Sequence, residues 1–239
     1  MKITVMIPTY DEAGNIGSLI DELLLLPLEE INILVVDDDS PDGTGKIAAG
    51  RAERDGRVRL LSRKDERGRG RAGRAGFLRA LTDGADLVVE MDGDGSHDPA
   101  DLPRLLEPIR RGEADVVIGS RFVPGGWVEG REWSRDLLSA LARCYLRLVL
   151  GTPVHDPTSG YRAFKRPALE AIDPGSLAAA DPFIVAEVLY RCRQKRLRIA
   201  EVPIVFRPRR SGVSKLRPRT LFAYLFRAGW LRLGGKISG

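Results

Sequence analysis

The chain has 239 residues, enough for one large α/β domain or two small ones, and for a substantial buried core. Its net charge of +5 is unevenly placed: residues 207–239 hold nine Lys or Arg and no Asp or Glu. Removing those nine from the 38 basic residues leaves 29 against 33 acidic ones, so residues 1–206 carry −4. A mildly acidic body with a basic tail points to an anionic partner: nucleic acid, a membrane surface or a phosphorylated substrate. The tail also carries Leu221, Phe222, Tyr224, Leu225, Phe226, Trp230 and Leu231, which a purely solvated tail does not need. No apolar stretch is long and charge-free enough to span a bilayer; the best one, 137–150, is interrupted by Arg143 and Arg147. The chain enters a strand at Lys2 with no signal-peptide pattern. Cys144 and Cys192 lack metal spacing and are expected to be reduced, buried thiols of a cytosolic protein.

Taken in chain order, the hydrophobic period alternates. The stretch 2–9 (KITVMIPT) reads as a strand, 12–26 as a helix, and 31–39 (INILVVDDD) as a second strand. A helix follows at 44–54, a strand at 58–63, a helix at 72–84, a strand at 86–92, a helix at 100–111 and a strand at 115–121. The biased run 66–76 (ERGRGRAGRAG) reads as a loop entering a helix, and another helix covers 182–196. Strands alternating with helices predict a mainly parallel sheet covered on both faces, a Rossmann-like α/β unit. Such sheets bind ligands at the carboxyl ends of their strands, where the strand order switches.

Three of those ends are polar. The first strand closes on Pro8, Tyr10 and Glu12, the second on Asp37, Asp38 and Asp39, and the strand at 86–92 on Asp92-Gly93-Asp94. Any one acid could be a helix cap, and Asp98 before Pro99 has that form. Three at one sheet edge point to a site. Two carboxylates one residue apart repel unless a positive charge lies between them. Mg²⁺ or Mn²⁺ suits that place, because Mg²⁺ takes one or two protein carboxylates and completes its shell with substrate phosphates. There is no Walker pattern and no strand-linked G-x-G-x-x-G, which disfavours kinases and dinucleotide enzymes.

In order, the chain contains IPTYDEAGNI, VVDDDSPDGT, MDGDGSHDP, GSRF, DPTSGYRAF and RRSGVSKL. Together these resemble the inverting glycosyltransferases of family 2, and specifically the polyprenol-phosphate (dolichol-phosphate) mannose synthases. The resemblance runs from residue 2 to about 216. It implies a GT-A fold, a nucleotide-sugar donor with Mg²⁺ or Mn²⁺, and a lipid phosphate acceptor. By position, Pro8, Tyr10 and Glu12 match the segment holding base and ribose, and Val36 and Asp38 the second nucleotide-binding strand end. Asp92, Gly93 and Asp94 match the Asp-x-Asp motif, with Asp94 the direct metal ligand, and Ser96 falls at a third position near the metal. Arg135 matches a phosphate-contacting arginine, with Ser139 one turn beyond it, and Arg121, which ends the strand at 115–121, is a candidate phosphate ligand; Arg209 and Lys215 match residues that close over the donor diphosphate, with Gly212 allowing that segment to move as a lid. The chain departs from the family at RGRG (67–70), where relatives often have Gly-Leu-Gly; the expected consequence is local packing alone.

The chemistry implied suits residues that are scarce here. Transfer to an alcohol needs a base, and the only two histidines, His97 and His155, are in no evident base arrangement. A phosphate acceptor is already ionised and needs none. Arg135, Ser139, Arg143 and Arg147 recur every four residues along one predicted helix, either as a basic amphipathic face or as solvated surface arginines. Asp156 could orient an arginine or cap the turn at Pro157, and Glu187 reads as a structural partner of an arginine.

The expectation is therefore a GT-A domain over 1–207, followed by a basic lid and amphipathic membrane-proximal segment over 208–239. The expected activity is transfer of mannose from GDP-mannose to a polyprenyl monophosphate. The expected location is cytoplasmic, peripheral at the cytosolic membrane face. Arg217, Arg219, Arg227, Arg232 and Lys236 would meet anionic lipid, or a small membrane-anchoring subunit would hold the enzyme there. A UDP-sugar donor, usually glucose, is the alternative. A non-enzymatic sugar-nucleotide or RNA-binding module is disfavoured, because acids rather than bases line the sheet edge.

Overall fold

The computed structural model describes residues 1–65, 67–130, 133–208 and 218–233, without the side chains of 133–139 and 218–223. The first half alternates strand and helix: β1 Ile3–Thr9, α1 Ala13–Leu24, β2 Ile31–Asp37, α2 Thr44–Ala52, β3 Val58–Ser62, α3 Arg69–Thr82, β4 Leu87–Glu90. The second half is less regular: α4 Leu102–Arg110, β5 Val116–Ser120, β6 Trp127–Val128, α5 Trp133–Leu150, β7 Arg162–Lys165, α6 Arg166–Ile172, α7 Ile184–Gln194, β8 Ile199–Pro203, β9 Val205–Phe206 and α8 Pro218–Arg232. Among the described residues these strands make a seven-stranded sheet of order β3-β2-β1-β4-β7-β5-β8 and a small β6-β9 pair. Every strand of the large sheet runs the same way except β7, which is antiparallel to both β4 and β5.

Period-two alternation sends side chains to two separate cores. Ile3, Val5 and Ile7 of β1 join Ile31, Ile33 and Val35 of β2 under α1 and α4. Met6, Leu34 and Val36 point to the opposite face, under α3, α6 and α7. On α1, Ile16, Leu19, Ile20 and Leu23 fall on one stripe and are all buried. Each such side chain contributes about 1.5–3 kcal/mol of burial. Layers of helix on both faces of a mainly parallel sheet match the expected architecture.

Three local expectations need correction. Helix α3 begins at Arg69, earlier than the periodicity indicated, because Gly70 and Arg71 donate their N–H groups to Ala180 O at 2.9 and 3.4 Å. A side chain at position 70 would meet Ala179 O at 2.0 Å, so only glycine allows that approach. Cys192 is buried as expected, but Cys144 is exposed, because it lies on the outer side of α5. Arg227 does not face outward: its guanidinium pairs with Asp181 at 2.6 Å and lies over the Phe183 ring. The cause is the roll of α8, which turns Tyr224, Arg227, Ala228 and Leu231 toward the domain and leaves Phe226, Trp230 and Leu233 exposed.

Candidate active site

The strand order reverses at β1: β2 and β3 lie on one side, β4 on the other. The carboxyl ends of β1, β2 and β4 therefore flank the crevice at the switch point. Pro8 and Val36 are buried neighbours in the β1–β2 register. Just beyond them Tyr10 is half-buried; its hydroxyl accepts from Arg67 Nη1 at 3.1 Å and its ring lies under the same guanidinium. Glu12 caps the start of α1, donating its N–H to Thr44 Oγ1 at 2.8 Å and accepting from Asn15 Nδ2 at 2.7 Å. Asp37 accepts from Thr9 and Ser40 and holds the turn after β2. Asp38 is buried, accepts the Gly68 N–H at 2.7 Å and pairs with Arg63. Burial raises the Asp38 carboxyl pKa, against the opposing effects of Gly68 and Arg63.

Asp92 and Asp94 stand just past β4. Asp94 is 5% exposed, and its Oδ1 accepts from the Ser96 N–H at 3.0 Å and from the Ser96 hydroxyl. Ser96 thus fixes the direction of the Asp94 carboxylate. Gly93 packs against Thr9, and Gly160 gives Asp92 its room, since a side chain there would sit 3.0 Å from Asp92 Oδ2. Asp92 also faces His97. That ring is buried, stacks on Tyr161, accepts the Asp92 N–H on Nδ1 at 3.2 Å and leaves Nε2 3.9 Å from Asp92 Oδ2. Burial lowers the His97 pKa despite the neighbouring acids, so the ring stays neutral and holds the loop. His155 is tied to Glu201 at 2.8 Å. Neither histidine is placed as a free base.

Among the described residues no group of three or more His, Cys, Asp or Glu could hold a metal. The donor set is instead two carboxylates one residue apart at a strand end, which fits a hard cation that draws its other oxygens from a diphosphate.

Arg121 follows β5. Its Nε and Nη2 donate to Asp156 at 2.7 and 2.7 Å, and Nη2 also donates to Thr158 Oγ1 at 2.8 Å. Asp156 is fully buried; burial works against its charge, but Arg121 outweighs it and holds the carboxyl below its usual range. Asp156 does both things open to it: it orients Arg121, and within the turn its Oδ1 accepts the Thr158 hydroxyl at 3.1 Å. Among the described residues nothing bonds Arg121 Nη1. Arg143 of α5 stacks 3.4 Å from the Phe122 ring centroid, beside Arg121. Arg135 and Ser139 lie on α5, but their side chains, like all of Arg209, Gly212 and Lys215, fall outside the described residues.

Two participants were not foreseen. Arg69 bridges buried Glu90 (2.8 Å) and Asp92 (3.1 Å), so the RGRG departure reaches beyond local packing to the Asp-x-Asp loop. Arg162 is fully buried and donates to the carbonyls of Ser159, Pro157 and Val185, bracing the loop that carries Asp156. Glu90 was the available signal: an acid inside an apolar strand demands a cation. Glu187 behaves as expected, pairing with Arg191 at 2.8 Å.

The polyprenol monophosphomannose synthase of Mycolicibacterium smegmatis is 39% identical over 238 residues, 99% of this chain and 89% of its own. The undecaprenyl-phosphate mannosyltransferase of Micrococcus luteus is 42% identical over 216 residues, 90% of this chain and 88% of its own. Among solved structures, glucosyl-3-phosphoglycerate synthase from Mycobacterium tuberculosis superposes with a TM-score of 0.72 at 23% identity, over 100% of this chain and 81% of that one. That protein was solved with Mn²⁺, UDP-glucose and phosphoglyceric acid; at this identity the likeness concerns the fold. Residues 4–173 match the family described as Glycosyl transferase family 2, and the chain belongs to that family.

Proposed function

We propose that the chain transfers mannose from GDP-mannose to the phosphate of a polyprenyl monophosphate, with inversion, at the cytosolic surface of a membrane. The observation that carries this is the likeness, over nine-tenths or more of the chain, to relatives named for mannose transfer to polyprenyl phosphates. In this reading Pro8, Tyr10, Glu12, Val36 and Asp38 hold the nucleoside. Asp92, Asp94 and Ser96 hold Mg²⁺ or Mn²⁺, with Asp94 as the direct ligand and Gly93 keeping the loop close to β1. The metal, when bound, offsets the charge of the departing diphosphate. Arg209 and Lys215 close over that diphosphate.

Arg121, Arg135 and Ser139 receive the acceptor phosphate. Arg121 Nη1, unbonded among the described residues, supports its share of that role, because the pair with Asp156 fixes the guanidinium before the phosphate arrives. An ionised phosphate oxygen can attack the anomeric carbon without a base, and the engagement of both histidines supports such an acceptor.

The membrane location is supported by two outward stripes. Leu141, Tyr145 and Leu148 of α5 lie beside Phe226, Trp230 and Leu233 at the end of α8, and Tyr145 joins the helices by donating to Leu225 O at 3.2 Å. No described helix is long and apolar enough to cross a bilayer. Contact with a surface, directly or through a small membrane-anchoring subunit, fits these stripes.

A transfer assay tests the chemistry. With Mn²⁺ or Mg²⁺ and a polyprenyl phosphate, GDP-mannose should yield a mannosyl lipid and UDP-glucose should not. Asp94→Asn should lower the rate by about 100-fold or more while keeping the wild-type unfolding transition. Transfer from UDP-glucose instead would overturn the donor assignment. Near-normal turnover of Asp94→Asn would overturn the role given to the Asp-x-Asp pair.

A further inference from the structure

Arg69 occupies the first position of α3, in the RGRG run of residues 67–70. Its guanidinium is a fork between two acids: Nη1 donates to Glu90 Oε1 at 2.8 Å and Nη2 to Asp92 Oδ1 at 3.1 Å. Glu90 is 2% exposed, and the Asp92 side chain is about a third exposed at the crevice. Burial disfavours the charge on Arg69, and the two carboxylates more than restore it, so the residue is a permanent cation. The backbone fixes its place. Gly70 and Arg71 donate to Ala180 O, which pins the start of α3 against the loop before α7.

We propose that Arg69 is a positioning residue that serves as the resident counter-cation of Asp92, aligning that carboxylate before any metal arrives and making metal binding depend on the diphosphate. The inference rests on the metal role given above to Asp92 and Asp94. The argument is electrostatic. A fixed positive charge in contact with one of the two carboxylates reduces the attraction of the pair for a free divalent cation. The same charge attracts the oxygens of a nucleoside diphosphate. Arg69 therefore opposes the metal alone, and a bound diphosphate, which shares the Arg69 charge with Asp92, relieves that opposition, so that the two ligands bind better together than apart. The carboxylate pair is also relieved of its mutual repulsion while the site waits for donor. A leucine at this position would supply none of these effects, and Glu90 would then lack the fork that now pairs it.

The test is a titration of Mn²⁺, followed by the spin signal of the free ion, with and without GDP. Four proteins are compared: wild type, Arg69→Leu, Arg69→Leu/Glu90→Gln and Arg69→Lys. The double variant removes the acid that Arg69→Leu would leave unpaired, and Arg69→Lys keeps a cation near both acids, so at least one variant retains the fold by circular dichroism. In wild type, GDP should tighten Mn²⁺ by about tenfold, within the usual range for coupled ligands. Loss of the charge should tighten Mn²⁺ binding to the nucleotide-free protein and weaken GDP binding without metal, leaving a smaller coupling that comes only from the direct contact of metal and diphosphate. Arg69→Lys should shift both in the same direction by less. A purely structural role would weaken both ligands together. Nucleotide-free Mn²⁺ binding that is unchanged or weaker in every folded variant would overturn the inference. Wild-type protein that binds no Mn²⁺ with or without GDP would overturn the metal reading and this inference with it.

Discussion

At the scale of single residues the site is built from paired charges. Asp156 and Arg121 are the clearest case, because the acid is fully buried and both of its oxygens are used by the guanidinium. Removing one member of a buried pair strands the other, at about 3–5 kcal/mol. Asp156→Ala should therefore lower the free energy of unfolding by that order in a denaturant titration. Transfer should fall with it, since Arg121 would lose its orientation; a variant with wild-type stability and rate would show that Asp156 does not hold Arg121. The acids at the strand ends were legible in the sequence, because turn-forming carboxylates after apolar runs are a local signal. Their partners were not. Arg69 lies 23 residues before Asp92 and Arg121 lies 35 before Asp156, so only the closed sheet brings them together.

Among the elements, those up to β5 and the helix α7 announced themselves through their period, and the strands β6 to β9 did not. β7 is four residues long, opens on a buried arginine and lacks alternation, so nothing in its composition marks a strand inside the sheet. β8 is an edge strand held to β5 partly by charge. Asp115, just before β5, accepts from Arg198 N–H, Nε and Nη2 at 3.0, 3.1 and 2.8 Å. Those Arg198 hydrogen bonds, outweighing partial burial, hold its carboxyl down at about 2, against 3.8 in an unfolded chain. A depressed acid stabilises the fold above its unfolded value and loses that contribution as pH falls toward the folded one. The denaturant midpoint of the wild type should thus drop between about pH 4 and pH 2 more steeply than that of Asp115→Asn. Parallel slopes for the two proteins would remove Asp115 from the acid sensitivity.

For the molecule as a whole, the two outward stripes on α5 and α8 are the surface on which the proposed membrane contact would rest. Phe226 is 73% exposed, Leu233 82% and Leu148 74%, on neighbouring helices. Basic residues near anionic lipid contribute about 1 kcal/mol each, so attachment should be reversible and weaken with salt. The variant Phe226→Ser/Trp230→Ser/Leu233→Ser should sediment less than wild type with vesicles containing anionic lipid at low salt, with GDP affinity unchanged. Equal sedimentation of the two proteins would take α8 out of the contact.

The antiparallel insertion of β7 also constrains how the sheet can be assembled during synthesis. β5 does not pair with β4; among the described strands the two are joined through β7, which lies more than forty residues further along the chain than β5. Until Arg162–Lys165 have left the ribosome, β3, β2, β1 and β4 can pair among themselves, but β4 keeps an open edge and β5 has no bridge to it. Contacts between distant parts of a chain form slowly, and open edges invite pairing with other chains. The four residues of β7 are thus the step that joins β5 to the first four strands, β8 adding to β5 afterwards, and the same step carries Gly160 to Asp92 and Asp156 to Arg121.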